Sequence, residues 1–207
     1  MLRIPTLALS LALFVPLRHA VAATTPTPIV EFYNASLDHY FITWVPDEIA
    51  KLDAGTQIKG WTRTGKTLQT FTATQGGTSP VCRYYIPPGL GDSHFFGRGS
   101  AECIATGQNN PSFVNEDPVF MQMFLPTAGI CPIGTTNVYR VFSNRPDANH
   151  RYMTETAVRD EMVAKGWLAE GDGPDLVVMC APVDPGAVAA FNPTTNTTLG
   201  GVVQFTS

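Results

Sequence analysis

Charge is scarce in this chain of 207 residues: 14% are Asp, Glu, Lys or Arg, and 13 basic residues face 17 acidic ones. That balance offers no basic stripe to release counterions from a phosphate backbone, so no nucleic acid is expected as partner. Long hydrophobic runs are missing too. The run Ile4 to Leu17 spans 14 residues, short of the ~20 that a membrane-crossing helix needs. With 18 Gly and 17 Pro punctuating the chain, little room is left for long helices, which excludes an all-helical bundle. No C-x-x-C pair, G-x-S-x-G elbow or H-E-x-x-H pair occurs, so the usual sequence signatures of a zinc site and of common hydrolases are absent.

What the N-terminus does contain reads as an address. Met1-Leu2-Arg3 is a short positive start, the apolar run follows, and Ala20-Val21-Ala22 fits the small-x-small pattern cut by signal peptidases. Residues 1–22 are therefore expected to be a signal peptide, 23–28 a linker, and the product secreted or periplasmic, with no membrane insertion after signal removal. Arg3, Arg18 and His19 leave with the leader, and the remaining histidines are His39, His94 and His150.

Those histidines are spaced 55 and 56 residues apart in matching neighbourhoods: Asp38-His39-Tyr40-Phe41, Ser93-His94-Phe95-Phe96 and Asn149-His150-Arg151-Tyr152. Each has an aromatic ring two residues on, and an aromatic-rich strand candidate upstream: Val30 to Asn34, Val81 to Tyr85 and Val138 to Asn144. The first and third copies agree further, because Gly60-Trp61 with Gly65 answers Gly166-Trp167 with Gly171 at the same spacing. A fixed period of this kind marks a repeat architecture, whose units bury their apolar faces on one another. The expectation is a β-rich α+β fold of three related strand-strand-helix-strand units in pseudo-threefold arrangement, over 29–182, with units at about 29–78, 79–129 and 130–182. In the first copy a helix is expected from Pro46 to Gly55, and in the third one opening at Thr154-Glu155-Thr156 and ending at Gly166. The second copy looks degenerate: a short helix over Ala101 to Ala105, then a loop through Glu116-Asp117-Pro118 before a strand Val119 to Leu125. Residues 183–207, with Pro185, Pro193 and a Thr-rich stretch, read as an extended tail.

Four Cys in an exported chain imply disulfides. Pairing within copies gives Cys82 to Cys103 and Cys131 to Cys180, each closure contributing roughly 3 to 4 kcal/mol in the chain-entropy picture.

Gly60 to Thr67 satisfies the phosphate-loop pattern G-x-x-x-x-G-K-T letter for letter. The required helix does not follow it; Leu68 to Thr72 alternates like a strand, so no nucleotide is expected. The acidic turn Glu170 to Asp175 lacks the ligand ladder of a calcium loop and reads as an exposed turn. If the three copies close on an axis, His39, His94 and His150 could meet at a metal or contact a ligand. The expected arrangement is simpler, with each ring packed in its own unit and donating to a carbonyl or to a hydroxyl such as Thr43 or Thr154. No metal or cofactor is expected. Of the tryptophans, Trp61 and Trp167 are the better candidates for stacking on a sugar ring, since each sits beside a glycine.

The same residues resemble an uncharacterised repeat family of secreted bacterial proteins, a domain of unknown function. Its unit looks like an aromatic strand, a D-H-F-Y-T step, a helix ending in G-W and a closing strand. Phe32-Tyr33-Asn34, Asp38 to Thr43 and Gly60-Trp61 match in the first copy; Tyr139 to Phe142, His150 to Thr154 and Gly166-Trp167 match in the third; Arg83-Tyr84-Tyr85 and His94-Phe95-Phe96 match in the second, without the G-W part. The family is similar to modules appended to secreted hydrolases, which implies a targeting or binding role and no catalytic residue. The reading is a secreted non-catalytic binding or interaction module, with an extracellular glycan or protein as partner. The rivals are a small secreted enzyme or metal-binding protein using the three histidines, and a purely structural surface protein.

Overall fold

The computed structural model describes residues 25–183; the expected leader lies outside them, as does the expected tail from residue 184 onward. Over these described residues the fold is β-rich, with three antiparallel sheets, three short helices and two disulfides. Its first unit comprises β1 (Thr27–Asn34), β2 (His39–Thr43), α1 (Pro46–Ala54) and β3 (Trp61–Thr70), forming a sheet of order β2-β1-β3. The second comprises β4 (Ser79–Ile86), β5 (Ser93–Arg98), α2 (Gly99–Asn109) and β6 (Val114–Met123), of order β5-β4-β6. The third comprises β7 (Thr135–Phe142), β8 (His150–Met153), α3 (Thr156–Ala164), β9 (Leu168–Glu170) and β10 (Val177–Pro182). There β7 is central, with β8 on one side and β10 and β9 sharing the other. Thus the first strand of each unit is its sheet's centre, and the strand after the helix returns to pair with it.

The registers coincide in detail. Val30 pairs with Thr43 and Val81 with Arg98, each four residues past the histidine, and Phe32, Arg83 and Arg140 take equivalent places two residues after Val30, Val81 and Val138. Opposite this point the third strand is interrupted every time. The pairs Phe32 with Arg63 and Val30 with Thr67 leave extra residues looped around Gly65, and Arg83 with Asp117 and Val81 with Met121 leave extra residues around Pro118. In the third unit the interruption grows into the turn that separates β9 from β10 and begins at Gly171. Gly65 and Gly171 both have positive φ, +80° and +141°, a backbone that side chains with a Cβ resist. Pro118, which has no N–H for a ladder, is tolerated at such a bulge. The spaced Gly-Trp and Gly pair of the sequence thus marks the entry to a strand and the interruption that follows it, and the phosphate-loop letters from Trp61 onward belong to β3.

Several expectations are corrected. Thr27 and Pro28, read as linker, belong to β1 and pair with Thr70 and Gln69. The second unit keeps its helix; α2 has 11 residues and lacks only the Gly-Trp ending. Glu116-Asp117-Pro118 lies within β6 rather than in a loop. Helix α3 begins at Thr156, within the expected opening, and Met162 is its buried residue. The disulfides, by contrast, are the expected pairs: Cys82 to Cys103, which ties α2 to β4, and Cys131 to Cys180.

One hydrophobic cluster takes residues from all three units, including Ile29, Ile42 and Leu68, then Val81, Phe96 and Met121, then Val138, Tyr152 and Met179. The three histidine-bearing strands touch one another. Their rings at the histidine-plus-two position meet: Phe96 lies 6.5 Å from Phe41 and 5.5 Å from Tyr152 between centroids. The Tyr152 hydroxyl closes this junction by donating to the Phe96 carbonyl at 2.9 Å and accepting from the Phe96 N–H at 2.8 Å.

Candidate functional site

A cleft of about 300 Å³ lies between the first and second units, lined on one side by Phe41, Glu48, Leu52 and Trp61 and on the other by Arg83, Asp92, His94 and Glu116. Its aromatic wall follows from the register. Trp61 opens β3 opposite Asn34, and Phe41 stands opposite Phe32 on β2. The Trp61 indole makes an edge contact with Phe41 at 6.1 Å, Phe41 packs on the His94 ring at 4.8 Å, and Tyr85 also packs on His94, at 5.3 Å. Leu37 and Ile58 form an apolar rim and are 41% and 37% exposed.

The polar wall is a bridge between units. Arg83 Nη1 donates to both carboxylate oxygens of Glu48, at 2.9 and 3.0 Å, across from α1. Its Nε lies 2.9 Å from Glu116 Oε2 as an ion pair off the line of a straight hydrogen bond, and its guanidinium stacks over Phe120 at 4.5 Å. The His94 Nε2 lies 3.2 Å from the same Glu116 oxygen. His94, with help from Arg83, holds the Glu116 carboxyl below its usual range, so Glu116 is an anion at neutral pH. The Thr43 hydroxyl donates to Glu48. At the rim the Tyr85 hydroxyl donates to Asp92, and that bond, with burial second, pushes the phenol up to about 12.

Of the five side chains singled out in the sequence, Trp61 and His94 enter the cleft. Trp167 does not. It is 5% exposed, its ring edge-on to Tyr40 at 6.0 Å and lying under the Arg145 guanidinium at 5.6 Å. The expectation of a second open platform is corrected, because a residue of the first unit covers it. The histidines also differ from expectation in their partners. Each faces a carboxylate rather than a carbonyl or threonine: His39 Nε2 lies 3.4 Å from Asp147, and His150 Nε2 lies 3.7 Å from Glu170. Thr43 and Thr154 instead bond Glu48 and Glu155. Nor do the three rings form one donor set: among the described residues no group of three or more His, Cys, Asp or Glu side chains is placed to hold a metal. Trp44 is a structural residue, its indole N–H donating to the Phe120 carbonyl at 2.9 Å. In the acidic turn, Glu170 and Asp172 are bonded to Arg140 and Arg98.

His150 carries a stability consequence. Its ring stacks on Phe142 at 5.1 Å and meets Phe95 edge-on at 4.9 Å. Burial, with the nearby Arg140 charge second, pushes its pKa down to about 3; Glu170 does little to oppose this because it is bonded to Arg140 at 2.7 Å. The unfolded chain takes up this proton near 6.5 and the folded chain does not. Stability is therefore complete above about pH 6.5 and falls as pH drops, by at most about 1.4 kcal/mol per pH unit. Denaturant midpoints measured between pH 7 and about 4.5, above the range of the low-held carboxylates, are expected to show this loss. His150→Phe is expected to flatten it, and equal slopes in the two proteins would refute the assignment.

The residues that sequence reasoning missed are Glu48, Arg83, Asp92 and Glu116. One signal was present: Arg83 and Arg140 hold the same place in the central strand, and each reaches an acid in the preceding unit's helix, Glu48 for Arg83 and Glu102 for Arg140. A family model described as Domain of unknown function (DUF5648) matches residues 16–123 and 126–175. No curated protein and no solved structure matches the chain.

Proposed function

The chain belongs to the DUF5648 family, and on that premise we propose that it is a secreted, non-catalytic binding module whose ligand is an extracellular or cell-surface glycan, held in the cleft between the first two of three units in pseudo-threefold arrangement. The observation that carries this reading is the position of Trp61: a partly exposed indole beside Phe41 in a cleft that Glu48, Arg83, His94 and Glu116 also line. A flat apolar ring with planar hydrogen-bonding groups beside it suits a pyranose, which has an apolar face and a hydroxyl edge. The matched strand interruptions and the meeting of Phe41, Phe96 and Tyr152 support the threefold arrangement. Export is supported by the leader pattern at residues 1–22 and by two disulfides; no helix among the described residues is long and apolar enough to cross a membrane.

Glycoside hydrolysis would need one of the paired carboxyls to stay protonated near neutral pH. Glu116 is held ionised, and both Glu48 and Glu116 are engaged by Arg83, which supports binding without turnover. On a broad glycan array the protein is expected to retain at least one pyranose oligomer, and Trp61→Ala is expected to weaken that binding at least tenfold with an unchanged circular dichroism spectrum. Stacking of this kind is worth about 0.5–1.5 kcal/mol beyond buried area. An array without binders at high protein concentration would refute the reading and leave the purely structural role.

A further inference from the structure

The charges around the cleft decide among glycans. We propose that the cleft selects a glycan bearing free amino groups, such as an unacetylated hexosamine oligomer, over neutral and acidic glycans; this rests on the glycan reading above. Three carboxylates line the space, from Glu48, Asp92 and Glu116, against the guanidinium of Arg83 and the His94 imidazole that pairs with Glu116, so the acids outnumber the cationic groups. That guanidinium is already spent, bonded to Glu48, paired with Glu116 and covered by Phe120, and its side chain is only 13% exposed. A uronate, sulfate or phosphate entering the cleft would meet the Asp92 carboxylate, which has no cationic partner among the described contacts, and no unpaired guanidinium or ammonium among the lining residues. An ammonium finds the reverse.

Asp92 is the outermost of the three acids and is exposed, with one oxygen taken by the Tyr85 hydroxyl and the other directed to no hydrogen-bond donor among the described contacts. The ring faces of Trp61 and Phe41 add a second attraction, since a cation within about 6 Å of an aromatic centroid is stabilised by the ring quadrupole. A sugar that stacks on Trp61 sits in a cleft lined by carboxylates, where an amine gains an ion pair and an acetamide does not.

The test compares tetramers of glucosamine, N-acetylglucosamine and galacturonic acid by calorimetry near pH 6.5, below the roughly 7.7–8.0 of an α-amino group. At about 50 mM salt the glucosamine tetramer is expected to bind about tenfold more tightly than the acetylated one, and the galacturonate tetramer not to bind. At about 500 mM salt the tenfold ratio should fall to about twofold, because exposed charges are then screened within a few ångströms. Asp92→Asn, which keeps an acceptor for Tyr85 and suits the left-handed backbone of that position (φ +46°), should cut the low-salt ratio at least threefold. Equal affinities for amine and acetamide, or tighter binding of the uronate, would overturn the inference while leaving the glycan reading in place. A trilysine peptide binding as tightly as the glucosamine tetramer would overturn it in favour of a basic peptide ligand. Binding of none of these probes, with none of a neutral glucose tetramer, would instead count against the glycan reading itself.

Discussion

Phe96→Ala is expected to lower the unfolding free energy by about 3 to 5 kcal/mol, the usual loss for a buried phenylalanine. Phe96 is 1% exposed and is the ring on which the three units converge, against Phe41 of the first, Phe120 of its own and Tyr152 of the third. Its removal leaves a cavity whose walls belong to different units and are pinned by sheet hydrogen bonds, so collapse into it is limited. The loss should appear in one cooperative denaturant transition followed by fluorescence and by circular dichroism. A loss under about 1 kcal/mol, or a transition that splits between the two probes, would mean that the units stand independently rather than sharing an interior.

The second large effect concerns Glu31 and Arg151. Arg151 Nε and Nη2 donate to the two carboxylate oxygens of Glu31, each at 2.9 Å, and the Thr64 hydroxyl donates to the same carboxylate at 2.7 Å. Glu31 is 3% exposed, and the guanidinium also lies 4.0 Å over Tyr40, so the pair joins β1 of the first unit to β8 of the third. Arg151→Met strands a buried carboxylate and is expected to cost about 3 to 5 kcal/mol. The double variant Glu31→Gln with Arg151→Met removes both charges and is expected to recover at least half of that loss, because desolvation offsets most of what a buried pair contributes. If the double variant is as unstable as the single, lost packing over Tyr40 rather than the stranded charge is the cause.

Much of this fold could be read in the sequence because the signals are local and repeated. The histidine with its ring two residues on, the Gly-Trp strand start with its bulge glycine, and cysteines grouped by copy all survive as short patterns. What escaped depends on partners distant in sequence. Helix α2 contains Gly99, Thr106 and Gly107, poor formers on intrinsic preference; it is stabilised by the Cys103 disulfide and by Glu102, which accepts from the Arg98 N–H at 2.6 Å at the helix start. Pro118 read as a loop because the bulge that accommodates it is defined only by pairing with β4. Trp61 and Trp167 carry the same local motif and end in different surroundings: Tyr40 from the first unit and the Arg145 guanidinium both lie on Trp167, which is buried, whereas Trp61 has Phe41 of its own unit at its edge and borders the cleft. The cleft itself is assembled from two units, and no single copy contains its pattern.

The most direct measurement of the glycan account is a nitrogen–proton correlation spectrum of the three indole N–H groups during titration with the tightest-binding pyranose oligomer. The account predicts that the Trp61 signal moves in a saturable way while that of Trp167, buried beneath Arg145, stays in place. A saturable shift of Trp167 with Trp61 unmoved, or no indole shift at saturating oligomer, would contradict it.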